Sequence, residues 1–376
     1  MNAITSDTYA AERQAFAELA KDFSAKKLIE KREEHDRYPF TCLMDDAVRD
    51  AGTVGFYGIN LPADFGGVDM NATMLAAILE KVSEADAGMA GIIFANAAAL
   101  EIVRAASADS DCAAVYGGIR TLGVEPVAFQ SFSAPEETEL PVIDGGGAVT
   151  GKVAYLALGN IAGYAVVPAR HLDAHRFSYY LVDLNSPGVR RGDPVVSLGF
   201  HSCPAADITL EGAPAVLIGA KGQGPKYFGA MRDAMSVAAA AVSLGIMKGS
   251  FRDAMQYAAD RYQGGRQIIG WGQVRMMLAN MAVEIKIGES CLAAACRGLD
   301  GAERGWEMTA MAAAMHTGAL AVRATADGVQ LFGGNGYTKD YPQEKRMRDA
   351  RQAHGLLGMA LMRKMDYIAR IIAENE

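Results

Sequence analysis

The chain has 376 residues, of which 51% are apolar and 21% charged, with a net charge of −8. That length holds two or three packed units, and the composition excludes a disordered or fibrous chain. The acidic balance, with no basic run longer than a few residues, argues against a nucleic-acid partner.

In chain order, residues 1–123 read as all-α. "SDTYAAERQAFAELAKDFSAKKLIEKREEHD" sets apolar residues at three- and four-residue steps behind a Ser/Asp cap, and "FTCLMDDAVRDAGTVGF" and "ATMLAAILEKVSEAD" repeat the pattern. "LPADFGGVDM" is a Pro/Gly loop between helices. Over 124–222 the helical period is lost. The runs "AYLAL", "YAVVPA", "FSYYLVDL" and "DITL" read as strands, separated by the turn signals "DGGG", "NSPG" and "EGAP". Residues 223–376 return to helix, rich in Ala and Met and apolar on most faces, up to and including "GLLGMALMRKMDYIARIIAE". The fold class is α+β: helical domain, β domain, helical bundle.

The N-terminus, "MNAITSDTYAAERQAF", is mixed and polar, without an apolar signal core. The apolar stretch "SVAAAAVSLGIM" is too short to span a bilayer and reads as a buried helix. Cys42, Cys112, Cys203, Cys291 and Cys296 are scattered, odd in number and without CxxC spacing. They point to reduced thiols in a cytoplasm and away from zinc. His171 and His175 are four apart but lack a third ligand, so no metal is expected.

Three motifs carry two readings each. "FGGNGY" (332–337) is either a close-approach surface for a phosphate or adenine, or a helix C-cap and turn. "DRYQGGRQIIGWGQ" (260–273) sets Arg261 and Arg266 around a Gly pair. It is either a pyrophosphate fork or a solvated loop. "QEKRMRDAR" reads as a salt-bridge network at a helix start rather than a site, and His354 as a packing or surface residue.

Together, "GFYGINLPADFGGVDM", "SLGFHSCPAADITLEGAPAVLIGAKGQGPKYF", "YAADRYQGGRQIIGWGQVRMMLANMA" and "QLFGGNGYTKDYPQEKRMRDAR" resemble segments of the acyl-CoA dehydrogenase family, in order and spacing, over nearly the whole chain. The resemblance implies three domains ending in a four-helix bundle, FAD, an acyl-CoA thioester substrate, an oligomer of dimers, and an electron-transferring flavoprotein as acceptor. It also implies a glutamate base, and here both of the family's glutamate positions are apolar: Leu357 at one, Met235 at the other. A leucine accepts no proton at any pH. Asp233, on the same helix as Met235 but two residues away and so on another face, is the candidate acid.

By the same resemblance, Ser133 and Tyr155 stand where the flavin ring is contacted within the subunit. Arg261, Gln330, Gly333 and Gly334 stand where the dinucleotide end of a neighbour's FAD is held. The ring contacts are the more eroded: Ala157 replaces a Thr, Met359 replaces another, and Glu136, Glu137 and Glu139 crowd a loop that faces an anionic ligand. Gly264 stands for an aromatic and Gly272 for a glutamine. Three readings follow. The first is a subunit of a heteromeric acyl-CoA dehydrogenase that completes a second, similar subunit's FAD site. The second is a self-sufficient flavoenzyme with altered chemistry, such as decarboxylation or elimination on an unusual thioester. The third is a structural descendant without flavin.

Overall fold

The computed structural model describes residues 6–37, 45–171 and 176–374. Cys42 and His175 lie outside them. The N-terminal unit comprises α1 (Ser6–Lys27), α2 (Arg32–His35), α3 (Asp45–Thr53), α4 (Ala72–Ala85), α5 (Ala87–Ala106) and α6 (Ala113–Arg120). The side chain of Asn71 caps α4 by accepting from the N–H groups of Thr73 and Met74. Asp86 ends α4 and starts α5, accepting from Met89 N–H. Nearly every side chain of α5 is buried.

The middle unit is a six-stranded sheet: β1 (Val142–Ile143), β2 (Ala148–Ala157), β3 (Tyr164–His171), β4 (Phe177–Asp183), β5 (Val189–Pro194) and β6 (Ala205–Ile218). The order is β2-β1-β3-β4-β6-β5, and β2 also pairs with β6, so the sheet closes on itself. β1 runs parallel to β3, and the other pairings are antiparallel. The four strand-like runs of the sequence fall in β2, β3, β4 and β6. β1 and β5 carry no such signal, because one is two residues long and the other is a charged strand, "VRRGDP", paired only with β6.

The C-terminal unit comprises α7 (Gly224–Asp260), α8 (Gly272–Asp300), α9 (Trp306–Phe332), the short α10 (Gln343–Ala353) and α11 (Ala360–Glu374). The loop between α7 and α8 is a hairpin of β7 (Tyr262–Gln263) and β8 (Arg266–Gln267). α7 is the central helix. It packs on α8 and α9, and across the unit boundary on α4. Gly245 and Gly249 make the last contact possible, since a Cβ at either would meet a backbone oxygen of α4, Glu80 O at 2.2 Å and Glu84 O at 2.5 Å. The C-terminal stretch read as one helix from Gly355 starts only at Ala360. Leu357 (φ 66°) and Gly358 (φ 105°) sit in the left-handed region and break it.

"SVAAAAVSLGIM" belongs to the 37-residue α7, so the helix as a whole is long enough to cross a bilayer, as is α5. Their apolar windows are 83% and 89% buried inside the fold, so other parts of the chain already cover them. The "QEKRMRDAR" cluster is an ion-pair network joining all three units. Lys345 Nζ lies 2.6 Å from Asp349 Oδ2 and 3.1 Å from Asp86 Oδ2. Asp86 accepts from Ser202 Oγ (2.8 Å) and Asp349 from Phe200 N–H (2.7 Å). Arg346 bonds Asp253 and Glu84 O, and Arg348 bonds Asp36 and Glu344.

Candidate functional site

The junction of β domain and bundle is built from residues in unusual backbone geometry. A bulge in β2 between Val153 and Leu156 puts Tyr155 at φ 50° and swings its ring across to α10, where Gln352 Nε2 donates to the Tyr155 hydroxyl (2.9 Å). Phe132 stands edge-on to Tyr155 and to Phe200, which is itself at φ 54°. Leu357 N–H donates to Ser131 O at 2.8 Å, so the β-domain loop holds the break before α11. A leucine in the left-handed region costs about 1–2 kcal/mol. The junction therefore keeps a turn that the side chain does not favour.

Beside Leu357 lies a cleft of about 230 Å³ between the start of α7, the turn at Pro135–Glu137 and α11. Its charged lining is Arg232, Arg363, Glu136 and Asp366. Arg232 Nη1 meets Asp366 Oδ2 at 2.5 Å, and Arg232 Cζ lies 5.4 Å from the Phe228 ring centroid. Arg232 Nε is buried without a hydrogen-bond partner. Arg363 is buried, and its Nη2 donates to His354 O (3.1 Å). His354 is half-buried; burial, followed by Arg363, lowers its pKa.

A larger cavity of about 570 Å³ lies on the other side of α7's first turns, and Pro225 and Gly229 line both. Glu101, Arg104, Asp233, Trp306 and Glu307 face it. Burial raises the Glu101 carboxyl, against the pull of Arg104 and a hydrogen bond from Asn60.

The sequence-derived site residues separate into two groups. Near the cleft, Ser133 sits half-buried beside Ala134, a lining residue, and Tyr155 holds the junction. Asp233 faces the larger cavity, not the cleft of Leu357. It is paired with Arg370 (2.8 Å), and burial outweighs that pairing to raise its pKa. Met235 is fully buried and lines neither space. At the far end of the bundle, Arg261 follows α7, while Gln330, Gly333 and Gly334 end α9; all four are exposed. Stacking of Tyr257 on Phe332 (4.0 Å between centroids) and an Asn335–Tyr257 hydrogen bond (2.9 Å) bring the two helix ends together. Gly333 (φ 58°) caps α9, and a Cβ on Gly333, Gly334 or Gly265 would meet only open space. The turn reading and the close-approach reading of "FGGNGY" are thus both compatible with one geometry.

Sequence reasoning passed over three features here. Trp271, half-exposed, covers Gly264, where a Cβ would lie 3.0 Å from its ring, and Arg266 Cζ stacks over it at 4.6 Å. The signal for it was the Gly264/Trp271 pair within the one loop that joins α7 to α8. The pairing of Arg232 and Asp366 has no local signal, since 134 residues separate them. Arg363 likewise gave none. His171 bonds Tyr180 (3.0 Å), and among the described residues no group of His, Cys, Asp and Glu is placed to hold a metal ion.

Comparison with known proteins assigns the fold. Residues 10–110 match the acyl-CoA dehydrogenase N-terminal domain and residues 222–371 its C-terminal domain. The chain is 24% identical over 359 residues to cyclohex-1-ene-1-carbonyl-CoA dehydrogenase of Syntrophus aciditrophicus, covering 90% of this chain and 85% of the relative. It is 26% identical to the short-chain-specific acyl-CoA dehydrogenase of Megasphaera elsdenii, covering 90% and 92%. Among solved structures, butyryl-CoA dehydrogenase of M. elsdenii superposes with a TM-score of 0.85 at 21% identity, over 96% of this chain and 98% of that one. A structure described under the electron-transferring flavoprotein of Acidaminococcus fermentans gives 0.86 at 24% identity, over 96% and 97%. The chain belongs to the acyl-CoA dehydrogenase family of FAD-dependent oxidoreductases.

Proposed function

We propose that this chain is the supporting subunit of a heteromeric acyl-CoA dehydrogenase, lending the dinucleotide half of an FAD site to a similar subunit that carries the base. The observation that carries this reading is the cleft beside Leu357. The residue at its end is apolar, Met235 is sealed in the core, and Asp233 is ion-paired and turned to another cavity. Proton abstraction from the substrate α-carbon needs a carboxylate within reach of it, and neither of the family's glutamate positions supplies one here.

The residues present fit FAD at its dinucleotide end. Exposed Arg261 stands at the same bundle end as three glycines with open space above them, and Gln330 and the Trp271–Arg266 stack complete a cationic surface with a planar face, suited to a pyrophosphate and an adenine. At the ring end, Tyr155 offers an aromatic face and Ser133 a hydroxyl. When bound, FAD supplies the hydride acceptor for α,β-desaturation of an acyl-CoA thioester. The chain's own residues bind and orient it, and the proton goes to the partner's base. Electrons then pass to an electron-transferring flavoprotein.

The test is flavin per chain, read by visible absorbance on the chain alone and after co-expression with a family member encoded beside it. Little flavin alone, rising to one per pair of chains, supports the reading. A full complement alone refutes it.

A second reading has one observation of its own. Glu136 lines the cleft of Leu357, and among the described residues it forms no ion pair. A self-sufficient enzyme would use Glu136, not Asp233, as its base. Loss of turnover in Glu136→Gln with flavin retained would select this reading.

A further inference from the structure

The cleft beside Leu357 holds an arginine whose bonding is incomplete. Arg232 is largely buried on α7 and uses Nη1 for Asp366, while its Nε is buried without an acceptor. A buried charged donor without a partner is costly, and proteins rarely retain one. A guanidinium presents its donors as a planar fork that matches a carboxylate at two points. Here one prong is used.

The carboxylate now on that fork is weakly committed. Asp366 is about two-fifths exposed, on the last helix of the chain. α11 keeps a second attachment to α7 through Arg370 and Asp233, so Asp366 can turn away while the helix stays. With Asp366 in place, the four charged side chains of the cleft (Arg232, Arg363, Glu136 and Asp366) cancel. Withdrawing Asp366 leaves one net positive charge in about 230 Å³, a space whose other lining is uncharged and includes Phe228, Met362 and Leu357.

We propose that this cleft is a carboxylate-recognition site in which Arg232 is the receptor and Asp366 the internal place-holder that the ligand displaces. The ligand is an anion of carboxylate type on a short apolar stem. It is supplied either as the distal carboxylate of an acyl thioester or as a free dicarboxylate. The incoming group takes Nε and one Nη of Arg232, and Asp366 passes into solvent. No bond is made or broken. The inference stands apart from the supporting-subunit reading, because the cleft lies within this chain and binding there needs neither FAD nor a partner.

The experiment measures binding of glutaryl-CoA, butyryl-CoA and glutarate to the full chain by calorimetry, for wild type, Arg232→Gln and Asp366→Asn. If the carboxylate is borne by the acyl group, wild type binds glutaryl-CoA about tenfold or more tighter than butyryl-CoA, the worth of a charge-assisted contact. Arg232→Gln abolishes the difference, and Asp366→Asn widens it severalfold. If the source is a free dicarboxylate, glutarate binds alone, with the same response to both substitutions. Equal affinity for the two thioesters together with no glutarate binding overturns the inference. A preference that survives Arg232→Gln also overturns it. Should Arg232→Gln fail to fold, Asp366→Asn decides, and an unchanged affinity there refutes the place-holder.

Discussion

Replacing Lys345 with methionine tests whether the buried network holds the three units together electrostatically. The ammonium lies between two carboxylates, Asp349 at 2.6 Å and Asp86 at 3.1 Å, and all three side chains are 5% exposed or less. Burial would lower the pKa of Lys345, but the two carboxylates outweigh it and hold the charge in place. Burial already raises Asp349 despite the lysine. Without the lysine, two buried carboxylates remain in one site and at least one must take up a proton. At pH 7, protonating a carboxyl of ordinary pKa near 3.9 costs about 4 kcal/mol, within the range of roughly 3–5 kcal/mol for breaking a buried ion pair. The sign follows directly. The folded variant binds one proton more than the unfolded chain, so its stability rises by about 1.4 kcal/mol for each unit that pH falls from 7 toward 5. Urea unfolding followed by circular dichroism at pH 7 and pH 5 reads both effects. Adding Asp349→Asn to Lys345→Met removes the excess charge and restores part of the loss. A loss below about 1 kcal/mol, or one independent of pH, would show that packing and not charge carries the network.

Three further outcomes are expected. Gly245→Ala forces a methyl against Glu80 O and pushes α4 from α7, lowering stability by about 1–3 kcal/mol in thermal unfolding; an unchanged midpoint would mean the helices are not in contact there. Hydrogen bonds from His201 and Arg348 overcome the effect of burial and hold Asp36 below its unfolded value. Its contribution is therefore complete above about pH 4 and is lost as pH falls below that. Asp36→Asn should flatten the acid limb of a stability–pH curve, and an identical limb would exclude this carboxylate. Arg261→Gln and Trp271→Ala lie on exposed surface, so each should lower the flavin content of the two-subunit complex without moving the unfolding midpoint of this chain; flavin content equal to wild type in both would remove that bundle end from the cofactor.

The helices were readable because burial on some faces and exposure on others leaves a period in the sequence, as in α4 and α7, while α5, almost entirely buried, shows as an apolar run. β5 was not readable, since a charged strand held only by β6 alternates nothing. The break at Leu357 was missed for a related reason. "HGLLGMALM" has the composition of a helix, and the turn that interrupts it is tied down by a hydrogen bond from Leu357 to Ser131 O, more than two hundred residues back. The apolar character of positions 235 and 357 was legible, being a matter of residue identity. That Asp233 faces a different cavity, and that an arginine one residue before it faces the cleft, depends on helix rotation and on α11. No local pattern reports either.

The two rungs between α7 and α11 are also a check on alignment. Neighbours of opposite sign on α7, Arg232 and Asp233, meet residues one turn apart on α11 in the opposite sense, Asp366 and Arg370. Slide α11 by one turn one way and Arg370 comes against Arg232. Slide it the other way and Asp366 comes against Asp233, while Met362 is left facing a guanidinium. Either slip replaces two attractions with at least one like-charge contact, so the charges favour a single register for this helix. The apolar stripe of α11, Leu361, Met365, Ile368 and Ile372, is exposed and so does not set the position of the helix on α7. These four charges act as a notched key: they contribute little to how tightly the helix is held and decide where it stops.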